Sequence, residues 1–228
     1  MEGSVKAGFA LLLLLIAAAP AAARVSQGDP PPPIPTIAWR HSTAEGLWWA
    51  GRLRQGVQLP AEGSDWFTWD PVRKQRPNRG WRRWGTDRLL RTVLAVIAEY
   101  RLAHPEAPRV GIGDLSRRHG GSFGVQYGGL GHMSHQNGLD ADVYYPRKDG
   151  MERRAYKPSQ VDRALAQDLV DRFTAAGART IYVGPALRLH GKRGVVEPRI
   201  YHDDHLHVRL PLTGRARVPD APVAFGDG

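Results

Sequence analysis

The sequence predicts an α+β domain built on a small, mainly antiparallel sheet flanked by helices. Two observations carry that expectation. Helical and extended segments do not alternate regularly along the chain, and the extended candidates are few and short. A third observation gives the sheet a function. Five of the nine histidines fall in two brief windows, residues 131–143 and 202–210, and both windows read as strands preceded by turns.

Taken in order, residues 1–23 read as an export signal. Lys6 supplies the positive start, Phe9 to Ala19 the apolar run and Ala21-Ala22-Ala23 the small-residue cleavage site. The run is short for a bilayer span and Pro20 follows it directly, so no stable membrane span is expected after cleavage. Residues 24–44 form a proline-rich linker, with Pro30-Pro31-Pro32-Pro33 at its centre. Residues 45–212 hold the folded domain and residues 213–228 a loose tail. The chain has no cysteine, so disulfides and thiolate metal ligands are both excluded.

Within the domain, a helix is expected over residues 86–104. Thr86 is its N-cap, and Leu90, Val93, Leu94, Ile97 and Tyr100 form an apolar stripe. A second helix opens at Ser159, with Asp162 as capping partner, and stops at Gly177. Val161, Leu165, Leu169 and Phe173 form its buried face. Strands are expected at residues 109–114, 139–145, 180–183 and 205–211. In the second of these Leu139, Ala141 and Val143 face one way, and Asp140, Asp142 and Tyr144 the other. In the last, Leu206, Val208 and Leu210 face the core, while His205, His207 and Arg209 face away. Pairing of these two strands would gather Asp142, His205 and His207 on one face, with His135 just before the Asn137-Gly138 turn. Imidazole and carboxylate are the N and O ligands that zinc prefers.

Charge narrows the partners. The formal charge is +10, which draws an exported protein to anionic wall polymers or lipid headgroups. The segment Arg73–Trp84 interleaves basic and aromatic residues as a nucleic-acid surface does, but an export signal removes that ligand, so no nucleic acid is expected. A solvated basic loop with Trp81 and Trp84 packed on the domain is the simpler reading; the alternative has these tryptophans shaping a groove. The glycine-rich run Gly120 to Gly131 lacks the Lys-Ser/Thr phosphate signature and is not a nucleotide loop. His41, His104, His119 and His190 are isolated and read as surface residues.

His135-Gln-Asn-Gly-Leu-Asp-Ala-Asp142 resembles the His-(six residues)-Asp motif, and His205-Leu-His207 the His-x-His motif, of peptidases related to lysostaphin and D-Ala-D-Ala carboxypeptidase. With His132, Ser134 and His202-x-x-His205-x-His207-Val208-Arg209, the pattern resembles the penicillin-insensitive murein endopeptidases. Gly56-Val57-Gln58-Leu59-Pro60, Gly111 to Ser116 and Gly120-Gly121 extend the likeness, which covers residues 45 to 212. The resemblance implies zinc (Zn2+) held by His135, Asp142 and His207, with the metal on one face of the sheet. It implies that His205, His132 and His202 serve catalysis. Asp140, Asp114, Ser116 and Arg209 would hold those residues or face substrate, while Asp203 and Asp204 receive no role. Neither window contains a Glu, so the general base is a histidine or an aspartate.

The implied activity is hydrolysis of D-Ala–diamino acid cross-links in peptidoglycan, in the periplasm or cell wall. Two alternatives stay open. One is a D-Ala-D-Ala or L,D-type carboxypeptidase, in which Arg209 or an arginine of 73–83 clamps a free carboxylate. The other is a wall-binding module whose zinc is only structural.

Overall fold

The structure is a computed structural model and describes residue 1, residues 36–124 and residues 132–214. The expected export signal, the proline-rich stretch up to Pro35, glycine-run residues 125–131 and tail residues 215–228 lie outside the described residues.

Among the described residues ten strands and two α-helices follow one another: β1 (Thr43–Leu47), β2 (Ala50–Arg54), β3 (Val57–Gln58), β4 (Trp66–Thr68), β5 (Trp84–Gly85), α1 (Asp87–Ala103), β6 (Val110–Ile112), β7 (Asp140–Tyr144), α2 (Arg163–Ala175), β8 (Thr180–Val183), β9 (Val196–Pro198) and β10 (His205–Arg209). The α+β class is the one expected. The strands are more numerous than the sequence suggested, because β1 to β5 and β9 are too short or too polar to show an apolar alternation.

Six strands form the main sheet in the order β4-β6-β7-β10-β8-β9. Its centre is antiparallel, from β6 through β7 and β10 to β8, while β4 and β9 add parallel edges. β1 and β2 make a separate hairpin, and β3 pairs with β5.

The strand period of two sorts the sheet's faces. Leu139, Ala141, Val143, Ile181, Val183, Leu206 and Val208 enter one core with the apolar sides of both helices. Ile37 joins that core from inside the expected linker, so packing begins ahead of residue 45. The opposite face carries Asp140, Asp142, His205, His207 and Tyr182. Burying the aliphatic face against α1 and α2 therefore forces the polar residues together on the other side.

Helix α1 begins as expected. The Thr86 hydroxyl accepts the Leu89 N–H at 3.1 Å, and Asp87 places a negative charge in the first turn. The predicted stripe is fully buried. The start of α2 needs correcting. Ser159 lies in a short turn of 3-10 helix after Pro158, and Asp162 is the N-cap, accepting from Ala164 and Leu165 N–H at 3.1 Å. Its carboxylate can satisfy two of the helix's open donors from an extended backbone, which a residue inside the preceding turn cannot. Gly177, at φ +84°, ends the helix as expected. His104 also differs from expectation. It is half-buried at the end of α1, with Nε2 3.1 Å from the Asp168 carboxylate. Among the described residues, no helix is long and apolar enough to cross a membrane.

Candidate metal centre and cleft

The register of β7 and β10 sets His207 directly opposite Asp142, and β8 sets Tyr182 opposite His207. Asp114 extends this row from the other side, since the Asp142 N–H donates to its carbonyl at 2.9 Å. His135 comes from the loop before β7. It adopts φ +67°, a left-handed backbone that is uncommon for a side-chain-bearing residue and accumulates at functional sites. Two glycines permit that loop. Gly138, at φ +77°, sits where a Cβ would meet Leu53 at 2.8 Å, and its carbonyl accepts both the N–H and the hydroxyl of Thr86. Gly120, at φ +71°, lets the Gln136 carbonyl approach within 2.1 Å of where a Cβ would stand. The helix N-cap and the histidine loop are thus one construction.

Three imidazoles aim a nitrogen at Asp142. His207 Nδ1 lies 3.1 Å from its Oδ1, His135 Nε2 3.3 Å and His205 Nε2 3.6 Å. The outer nitrogen of each ring meets an acceptor. His135 Nδ1 donates to the Leu115 carbonyl at 2.6 Å, His207 Nε2 to Asp140 at 2.8 Å and His205 Nδ1 to Asp204 at 2.7 Å. A neutral imidazole carries one N–H, so fixing it outward leaves a lone pair directed inward. Three lone pairs and a carboxylate converging on one point repel unless a cation stands among them. His135 Nε2 is buried with no hydrogen-bond partner, the orphaned donor atom that such a cation would satisfy.

His132, His135 and Asp142 offer one donor atom each within 4.8 Å of one another, a set fit for a metal ion. The expected trio has His207 in place of His132. His132 Nε2 lies 2.7 Å from Asp114 and 3.8 Å from Asp142, so that nitrogen is already engaged.

The charges reinforce each other. Burial opposes ionisation of Asp142, but His135 and His205 hold it well below the ordinary carboxylate range. Burial likewise opposes the His205 and His207 cations, and in each case neighbouring carboxylates outweigh it and raise the pKa. His202 goes the other way. Burial and the adjacent His205 lower it to about 4, so it is neutral at neutral pH. Its ring centroid stands 4.9 Å from that of His205.

A buried relay supports His132. Asp114 and Arg82 are both completely buried and paired through two contacts, with Arg82 Nε donating to Oδ1 at 2.6 Å. Asn78 Nδ2 adds a bond at 3.0 Å. Asp114 is accordingly held far below its usual range, although burial alone would raise it. This revises the reading of residues 73–84 as a solvated basic loop. Residues 72–77 are exposed, but Arg82 is interior, between Trp81 and Phe123. Its burial leaves no trace in a segment where every third residue is basic.

The site opens into a cleft of about 750 Å³. The aromatic wall on its hairpin side is Trp48, at the turn between β1 and β2, rather than Trp81 or Trp84. Trp48 covers Arg209, whose guanidinium carbon is 4.0 Å from the indole centroid. Arg209 donates to Asp140 at 2.6 Å and so braces the carboxylate that holds His207. Ser116 is buried, with its backbone bridged to Trp84. Sequence reasoning left Asp204 without a role, yet it accepts from His205 and from Arg154, the latter at 3.1 Å. Tyr182 was also missed, though the alternation Ile181-Tyr182-Val183 placed it on the histidine face.

No curated protein matches the chain. The family model for penicillin-insensitive murein endopeptidase matches residues 44–183, more than half of the 228 residues, taking in His132, His135 and Asp142 and ending ahead of β10. A matched region of that extent, folded around a donor set of this kind, means that the chain belongs to the penicillin-insensitive murein endopeptidase family.

Proposed function

We propose that the protein is an exported zinc peptidase that cleaves D-Ala–diamino acid cross-links between peptidoglycan stem peptides. The observation that carries this reading is the convergence of three anchored imidazoles on Asp142. Family membership supports peptidoglycan as the substrate, and the apolar run from Phe9 to Ala19 behind Lys6 supports export.

His135 through Nε2, Asp142, and His207 through Nδ1 would hold the metal. Leu115 and Asp140 fix the two imidazoles from behind. When bound, a divalent ion there supplies a water acidified towards neutral pH and a positive charge beside the scissile carbonyl. N and O donors alone suit zinc, and the chain contains no thiolate.

Amide hydrolysis adds a water oxygen to the carbonyl carbon and delivers a proton to the leaving amine. His205 is placed for that proton. Its Nε2 points to the same spot as the donor atoms, and Asp204 on Nδ1 stabilises the imidazolium formed when Nε2 accepts it. His202, neutral and 4.9 Å away ring to ring, adds no competing charge. His132, whose Nε2–H donates to Asp114, keeps its other ring nitrogen as a fixed acceptor at the cleft wall.

The test is a digest of intact peptidoglycan and isolated cross-linked dimers, with products read by mass. Dimers should become monomers, chelation should stop this, and zinc should restore it. Release of a terminal D-Ala with dimers untouched would move the assignment to a carboxypeptidase. Tight wall binding without any product would leave a non-catalytic module.

A further inference from the structure

Three arginines line the cleft, and two are neutralised. Arg209 is paired with Asp140, and Arg154 with Asp204. The third, Arg199, follows β9 and is exposed, and no carboxylate lies within ion-pair distance of it among the described residues. Its backbone is anchored, because its N–H donates to the Val183 carbonyl at 2.8 Å. Its guanidinium carbon sits 4.8 Å from the Tyr182 ring centroid. Tyr182 in turn lies 5.5 Å from the ring of His207 and 5.6 Å from that of His202. A cation is therefore presented at the cleft one aromatic ring away from the histidine cluster.

We propose that Arg199 is the anchor for a carboxylate of the substrate, and so determines which stem peptides are accepted. Resting on the peptidase reading above, this names the chemical feature that the cleft selects. A guanidinium is a planar fork matched to a carboxylate, and stacking on Tyr182 holds that plane and sheds part of its hydration. Arg209, the clamp that the sequence suggests, is covered by Trp48, nearly buried and already bonded to Asp140, so its charge is committed inside the site. A cross-linked stem peptide offers two sources of the same chemistry: a free carboxylate on the diamino acid beside the scissile bond, and the terminal carboxylate of the acceptor strand.

The test uses three dimer substrates: unmodified, amidated at the diamino acid carboxylate, and amidated at the terminal carboxylate. Kinetics are measured with the zinc-loaded full chain and with Arg199→Gln and Arg199→Lys. Binding of the same dimers is measured calorimetrically on zinc-loaded His205→Ala, with and without Arg199→Gln. Amidating the recognised carboxylate should raise KM about tenfold in the unmutated chain, the size of one charge-assisted contact. Arg199→Gln should raise KM equally for the unmodified dimer and abolish the discrimination, with kcat and unfolding midpoint little changed. Arg199→Lys should recover part of it, and the amide that matters identifies the source. The proposal is overturned if Arg199→Gln still discriminates, or if the unmutated chain ignores both amides. Discrimination in binding without hydrolysis by any form would leave the carboxylate site standing and overturn the peptidase reading instead.

Discussion

Replacing Arg82 by Met tests the buried pair beneath His132. Both Arg82 and Asp114 have no exposed side-chain surface, and the guanidinium supplies two of the carboxylate's contacts. Removing one partner of a buried ion pair costs about 3–5 kcal/mol, because the remaining charge is stranded. Asp114 would keep Asn78 Nδ2 at 3.0 Å and His132 at 2.7 Å, which points to the lower end, about 3 kcal/mol. At roughly 2–4 °C per kcal/mol for a domain of this size, the midpoint should fall by about 6–12 °C. Thermal unfolding would measure that shift and urea unfolding the free energy, both followed by tryptophan fluorescence and circular dichroism, coincident curves confirming a two-state transition. The double variant Arg82→Met with Asp114→Leu should lose less than the single, since no charge is left unpaired. A loss below about 1 kcal/mol in the single variant, or a double variant worse than the sum of the singles, would refute the reasoning.

Three further outcomes are expected. His205→Ala should keep close to one equivalent of metal after dialysis while dimer cleavage disappears; loss of the metal itself, read by elemental analysis, would make His205 a ligand. Asp204→Asn should lower turnover about 10–100-fold with metal content unchanged, because it removes the charge that stabilises the His205 imidazolium without touching the donor atoms. His202 has its folded pKa lowered to about 4 while the unfolded chain retains the ordinary 6.5, so unfolding takes up a proton between those values. Its contribution to stability is therefore present above pH 6.5 and lost as pH falls towards 4, and His202→Gln should flatten that part of the stability–pH curve in chemical denaturation.

The sequence by itself determined both helices, the four central strands of the main sheet and the two histidine windows, since these follow from local periodicities. Leu139, Ala141 and Val143 against Asp140 and Asp142, and Leu206 and Val208 against His205 and His207, divide by a period of two that survives without tertiary information. The Thr86 cap and the Gly177 stop are likewise local chemistry. Only the tertiary structure decided what stands behind each histidine. Asp204, beside His205 in sequence, is a positioning group because Arg154, fifty residues away, turns its carboxylate. Arg82 reaches Asp114 from a segment that reads as solvated, and Trp48 roofs Arg209 from a hairpin too short to announce itself. Such partners are chosen by packing across the sheet, where distances between side chains depend on strand order and register. No pattern along one segment carries that information. The strand face specifies which residues share a surface, and the fold specifies which charges are left without an ion-pair partner, as Arg199 is among the cleft arginines described.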